Sequence, residues 1–422
     1  MNVGFFGIQY SFGLQQSAVN PIYDFLGANP DQIPFLNLAG PITGLLVQPL
    51  IGAMSDKTWS PRWGRRKPYF LVGALICSVS LLLFPFSSSL WMAAGLLWIL
   101  DAGNNTAMEP YRAFVADKLD ASQQPLGFQS QSFFTGFGQT LANVSLFLFP
   151  MVIIGKTGAI PNWVFASFFL GSICSIGSIW WSMHTTPEIP PSEAEIQQLR
   201  SEKMSIIAPL VEIFTAIKEM PKVMWQLSLV YLFQWYALFC YWQNSSKSIA
   251  LSVWNATPQG NPELYEKAVS WTGLVNGWYN VVTFLAAFAL AAFASKYSPK
   301  MVHFVCLTLA GIGLIIFPFV ENQYLLFPVI TGFGIGWASM MGIPYLLVVH
   351  HIPKERYGVY MGIINMMIVI PMIIQNLTFG YILKNFLGNN AGTAVLFAGV
   401  FLLLAAGCTL LIQNSPKKEV NA

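Results

Sequence analysis

A chain of 422 residues that is 55% hydrophobic and only 9% charged, with a mean hydropathy of +0.56, has too few charges to coat a water-soluble surface, where about a quarter of residues are charged. A lipid bilayer is the solvent such a composition fits. The net charge of +3 is small, and the basic residues fall in short clusters between apolar runs, which excludes a nucleic-acid face. Cys77, Cys174, Cys240, Cys306 and Cys408 lie far apart in apolar stretches without metal-ligand spacing and read as small buried hydrophobes, so no metal site is expected.

A membrane span needs roughly 20 mostly apolar residues. The predicted spans are 2–26, 33–55, 68–87, 90–117, 126–153, 161–184, 222–249, 266–294, 299–319, 323–350, 357–384 and 391–413. The run 2–26 is too long and too rich in Gln and Asn for a cleaved signal peptide. Lys and Arg gather in the 2/3 loop (Lys57, Arg62, Arg65, Arg66, Lys67) and recur in the 4/5, 6/7, 8/9 and 10/11 loops and the tail, whereas the other side collects only Lys156, Lys247, Lys267 and Lys384. Basic residues stay cytoplasmic, so both termini are expected there, in a multi-pass protein of the plasma or inner membrane.

The long polar stretch, 186–221, carries Pro187, Pro190 and Pro191 followed by SEAEIQQLRSEK, an amphipathic or solvated helix in prospect. It divides the chain into an N-terminal six-helix bundle (1–185), a cytoplasmic linker (186–221) and a C-terminal six-helix bundle (222–422). A short repeat supports duplication: MEPYRAFVADKL in helix 4 matches MGIPYLLVVHHI in helix 10, aligning Pro110-Tyr111 with Pro344-Tyr345. A proline in each of these helices predicts a break beside a binding cavity. The expected fold is all-α, with twelve transmembrane helices in two pseudosymmetric bundles.

Charges at mid-membrane cost at least about 2.5–3.5 kcal/mol each and persist only beside water, a partner or a substrate. Helix 4, WMAAGLLWILDAGNNTAMEPYRAFVAD, is the exception to their avoidance, with Asp101, Glu109, Arg112 and Asp117. At about 100° per residue, Asp101, Asn105, Met108 and Arg112 share a narrow sector, a polar stripe suited to a cavity wall. A carboxylate and a guanidinium there could couple a proton to a ligand that competes for Arg112, with Glu109 one turn from Arg112. Asp117, at the edge, suits a gate.

The 2/3 loop, GAMSDKTWSPRWGRRKPYF, joins an acid, Asp56, to a turn glycine, Gly64, and an arginine cluster, Arg65 and Arg66. Asp56 is expected to bond an arginine or cap the next helix and hold the cytoplasmic side shut. This loop resembles the G-x-x-x-D-x-x-G-R-[RK] motif of the major facilitator superfamily. With GPITGLLVQPLIGAMSD, RWGRRKPY, LDAGNNT and PYRAFVADKL, and with FGLQQS and FQWYALFCYW in support, the chain resembles the glycoside-pentoside-hexuronide:cation symporters, in the sucrose/maltose proton symporter branch. The resemblance implies that Asp101 accepts the proton and that Arg112 couples it to substrate; Glu109 departs from the plant pattern, which has a small residue before the proline.

Glycosides need many hydrogen-bonding groups and flat apolar faces. Amides and aromatics are spread through helices 1, 2, 5, 7, 8 and 11, and Gln15, Asn104, Asn105, Gln234, Tyr236 and Asn276 are the predicted ligand contacts. The expected activity is proton-coupled symport of a disaccharide or glycoside such as sucrose or maltose, by a monomer in the bilayer, with no cofactor. A uniporter or exporter of the same fold, or Na⁺ as coupling ion, is the alternative. An enzyme is not expected, since no clustered nucleophile or metal set is present in the sequence.

Overall fold

The computed structural model describes the chain except residues 121–123, 189, 191–214, 349–350, 353–356 and 414–422, together with side chains at a few further helical positions, those of Asp56 and Lys57 among them. The helix anticipated within 192–203 therefore lies outside the described residues. Among the described residues the chain forms twelve long helical segments and one two-residue hairpin, Lys156–Thr157 with Ile160–Pro161.

The first segment, α1, runs over Val3–Leu14, opens into a π-turn at Gln15–Val19 and resumes over Asn20–Phe25. After a short helical turn at Ile33–Leu36 come α2 (Ala39–Lys57), α3 (Lys67–Leu83), α4 (Leu90–Lys118), α5 (Gln124–Val152) and α6 (Asn162–Thr185). The second half holds α7 (Lys222–Trp254), α8 (Pro262–Lys296), α9 (Pro299–Ile316), α10 (Leu326–Val348), α11 (Tyr357–Phe386) and α12 (Ala391–Thr409). Local chemistry sets the ends. Proline opens α3, α8 and α9, where a missing N–H costs nothing. Ser89 accepts the Met92 amide at the start of α4, Asn390 caps α12, and left-handed Asn255 terminates α7.

Eight of these helices are long and apolar enough to cross a bilayer by length and composition: α2, α3, α6, α7 and α9 to α12. The other four are the broken α1, the amide-rich α5, and α4 and α8, which carry both amides and charges. Polar residues lower their hydropathy because they face the interior rather than lipid.

The packing is pseudosymmetric. In the first bundle α1 lies against α5 and α6, α3 against α4 and α6, and α2 against α4; in the second, α7 lies against α11 and α12, α9 against α10 and α12, and α8 against α10. Close backbone approach marks the equivalent crossings, since a Cβ on Gly73 would lie 2.7 Å from the Gly103 carbonyl oxygen and one on Gly313 2.6 Å from that of Val329. Between bundles, α5 packs along α8 and, less extensively, α2 along α11.

Two sequence expectations change. The prolines do not break their helices: α4 continues through Pro110 and α10 through Pro344. The irregularity falls in α1 instead, where QQSAV forms the π-turn. The repeated dipeptide also serves two purposes, since Tyr111 is buried and hydrogen-bonded to Ser182, whereas Tyr345 lines the central cavity.

Candidate functional site

A cavity of about 870 Å³ lies between the bundles, lined by α1, α2, α4, α5, α7, α8, α10 and α11. On the α4 wall stand Asp101, Asn105, Met108 and Arg112, the four residues of the predicted stripe. Asp101 is 2% exposed and lies over Gly40 of α2, whose missing side chain makes the room: a Cβ there would meet Asp101 Oδ2 at 3.5 Å. Gln15, in the π-turn, lines the cavity and turns its side-chain amide toward the same carboxylate.

Arg112 shares the stripe but not a contact with Asp101. Eleven residues along the helix place the two about 16 Å apart. Arg112 Nη1 pairs instead with Glu109 Oε2 at 3.7 Å, with the arginine side chain 47% exposed at the cavity mouth. Glu109 turns toward α2, 3.5 Å from where a Gly52 Cβ would sit. Among the described residues no cation reaches Asp101, so the direct exchange anticipated between acid and guanidinium is absent from this arrangement.

Other amides on the first-bundle wall are tied together. Gln48 Nε2 donates to Asn105 Oδ1 at 2.6 Å, Asn105 Nδ2 donates to Thr43 at 3.0 Å, and Gln139 Nε2 donates to Gln9 Oε1 at 3.0 Å. The second-bundle wall is aromatic. Trp337 meets Trp235 and Trp242 edge to face, with ring centroids 5.6 and 5.5 Å apart. The Trp242 indole donates to Tyr279 at 3.2 Å, while Trp235 Nε1 is buried without a partner.

Of the predicted ligand contacts, Gln15 and Asn105 line the cavity; Asn104, Gln234, Tyr236 and Asn276 do not. Asn104 lies about 100° around the helix from Asn105 and is spent between helices, donating to Ser11 at 2.9 Å. Gln234 and Tyr236 flank Trp235 and are likewise rotated away, with Tyr236 bonded to Thr378 at 2.9 Å. Asn276 donates to Ser17 at 3.0 Å across the bundle interface. Gln243 and Trp337 were missed. Trp235, Phe239, Trp242 and Gln243 follow the helical i, i+4, i+7, i+8 spacing, so Trp235 could have led to Gln243.

At the basic loop, Arg66 Nε pairs with Asp117 Oδ2 at 2.8 Å and its Nη1 donates to Ser55 at 2.6 Å. Glu188, beyond α6, caps α3: its carboxylate accepts the main-chain N–H groups of Arg65 (2.6 Å), Arg66 (2.9 Å) and Lys67 (2.8 Å). The Asp56 side chain lies outside the described residues.

The bundles close around the other end of the cavity. Lys247, which the sequence places near the outer end of the seventh span, lies within α7, and its Nζ is 3.1 Å from Asp24 Oδ1 of α1. Asp24 Oδ2 accepts from Tyr265 of α8 at 2.5 Å. Helix 4 is therefore not alone in burying charge.

A two-bundle helical membrane protein with a central cavity between the bundles is built as a transporter rather than an enzyme. The family model of the Major Facilitator Superfamily matches residues 1–376 and again 272–422, and the chain belongs to that superfamily. Sucrose transport protein SUT5 of Oryza sativa subsp. indica is 22% identical over 438 residues, covering 89% of this chain and 79% of that protein. Sucrose transport protein SUC3 of Arabidopsis thaliana is 35% identical over 133 residues, 26% of this chain and 22% of its own length. Among solved structures, the nucleoside transporter NupG superposes with a TM-score of 0.70 at 13% identity, covering 97% of this chain and 98% of that one. The inward open xylose transporter XylE from E. coli superposes with a TM-score of 0.69 at 15% identity, covering 99% and 96%.

Proposed function

We propose that the protein carries a disaccharide or related glycoside across the membrane together with a proton, by alternating access. The observation that carries this reading is the two-sided cavity, in which a wall of amides around one buried carboxylate faces a wall of three indole rings. A sugar presents hydroxyls at its edge and C–H groups on its faces, and the two walls match those two surfaces. Trp235 Nε1, buried without a partner, offers a donor from the second bundle, and Gln15 lines the opposite wall beside Asp101. The sucrose transport proteins among its relatives support the same substrate class.

Asp101 is the proposed proton acceptor. It is a buried acid on the cavity wall with no ion-pair partner among the described residues. Arg112, at the mouth, would attract the sugar or stabilise the deprotonated state through the cavity rather than by direct pairing. The basic face is assigned to the cytoplasm, with both termini, which puts the Asp24–Lys247 end of the cavity on the outer side.

The test is transport in proteoliposomes with sucrose, maltose, melibiose and glucose at two pH values, with and without Na⁺. Accumulation of a disaccharide driven by an inward proton gradient is expected. Accumulation that follows Na⁺ alone, or equilibration without accumulation under any gradient, would overturn proton coupling. Failure of every sugar to move would overturn the substrate class.

A further inference from the structure

Among the described residues, the bundles meet beyond the cavity through three ion pairs. Lys156–Glu266 (2.5 Å) and Lys384–Asp31 (3.7 Å) each keep at least one side chain substantially in contact with solvent. Asp24–Lys247 does not: the aspartate side chain is 1% exposed and the lysine 8%. This pair joins α1 of the first bundle to α7 of the second, and Tyr265 ties the same carboxylate to α8. Asn20, one turn before Asp24, still lines the cavity and donates to the Trp242 carbonyl at 3.4 Å, so the pair sits directly past the closed end.

We infer that Asp24, Lys247 and Tyr265 form the closure that seals the cavity on the face opposite the basic loop, and that its opening is a required step of the transport cycle. The inference rests on the alternating-access reading above. Its physical basis is the difference between exposed and buried pairs. Exposed pairs exchange their partners for water at little cost and so hold nothing shut, while a buried pair resists separation until water reaches both charges together. For the cavity to open on that face, α1 must part from α7 and α8, and Asp24 must then leave both Lys247 and Tyr265. Removing one charge strands the other in a dry site, which favours an arrangement in which water can reach it; removing both relieves that pressure. The closure is thus a matched set, and its single variants should be more disturbed than the double.

The experiment reads side-specific access, not sugar. A cysteine replaces Gly44, which lines the cavity and where a Cβ meets nothing nearer than Gln48 Nε2 at 4.0 Å. Oriented proteoliposomes are treated with a membrane-impermeant maleimide from either side, with the chain lacking this cysteine as the blank. In the parent, labelling from the basic face should dominate. Asp24→Asn and Lys247→Met should each raise labelling from the opposite face about tenfold or more, and the two together should fall back toward the parent. Tyr265→Phe, which removes a hydrogen bond and no charge, should shift access the same way by less, and it decides the matter if a charge variant does not reach the membrane. Unchanged sidedness in the single variants, or in Tyr265→Phe where they do not assemble, would overturn the closure. Shifted sidedness in a protein that moves no sugar would leave the closure standing and reject the substrate instead.

Discussion

Gly64 and Glu188 fit together so closely that Gly64 has no room for a side chain: a Cβ there would lie 2.6 Å from the Glu188 carboxyl carbon. The glycine also holds φ at +81°, where a side chain is strained. Together they let a carboxylate from beyond α6 enter the first turn of α3 and take three main-chain N–H groups. The basic loop and the start of the inter-bundle segment are thereby one unit.

Gly64→Ala should lower stability by about 1–3 kcal/mol, through backbone strain and the displaced carboxylate. Glu188→Gln keeps the shape and some acceptor capacity but loses the charge, and should cost about 1 kcal/mol. Thermal unfolding of purified protein checks the order, and a glutamine variant as damaged as the alanine variant would contradict the steric argument.

Asp101→Asn should leave the fold intact, because the carboxylate forms no ion pair among the described residues and the amide is isosteric. Accumulation driven by a pH gradient should be lost, while exchange of labelled for unlabelled sugar persists. Uphill uptake at the wild-type level by this variant is incompatible with Asp101 as the proton site.

Arg112→Gln should change stability by no more than about 0.5 kcal/mol, since the Arg112–Glu109 pair is long and half-exposed. Its effect should fall on transport instead. Reduced uptake at unchanged melting temperature is the expected signature, and Glu109→Gln should have the smaller effect on uptake because Glu109 faces α2 rather than the cavity.

Trp337→Phe should preserve most sugar binding, whereas Trp337→Ala removes the ring that meets both Trp235 and Trp242 and should weaken binding about tenfold or more. Quenching of tryptophan fluorescence by sugar in purified protein measures both. Equal affinity for the two variants would mean the indole wall does not touch the ligand.

Much of this molecule is readable along the chain. Apolar runs of bilayer length and a stripe at helical spacing on α4 are local properties, and that stripe does line the cavity. The stripe was legible because charge in a lipid-spanning helix has few tolerable directions. Amides carry no such compulsion. Asn104 and Asn105 are adjacent and chemically identical, yet one bonds Ser11 between helices and the other faces the cavity, and only neighbouring helices decide which.

Sequence by itself determined that the chain lives in lipid, that it crosses many times and that helix 4 carries interior charge, because these follow from solvation and from a 3.6-residue repeat. Tertiary structure alone decided that Lys247 is a buried partner of Asp24, that Glu188 caps α3 and that α1 is the irregular helix. Each of these joins residues far apart in the chain or depends on what packs against a helix. A charge near the end of a span can face water, lipid or another charge, and its sequence neighbours are the same in all three cases.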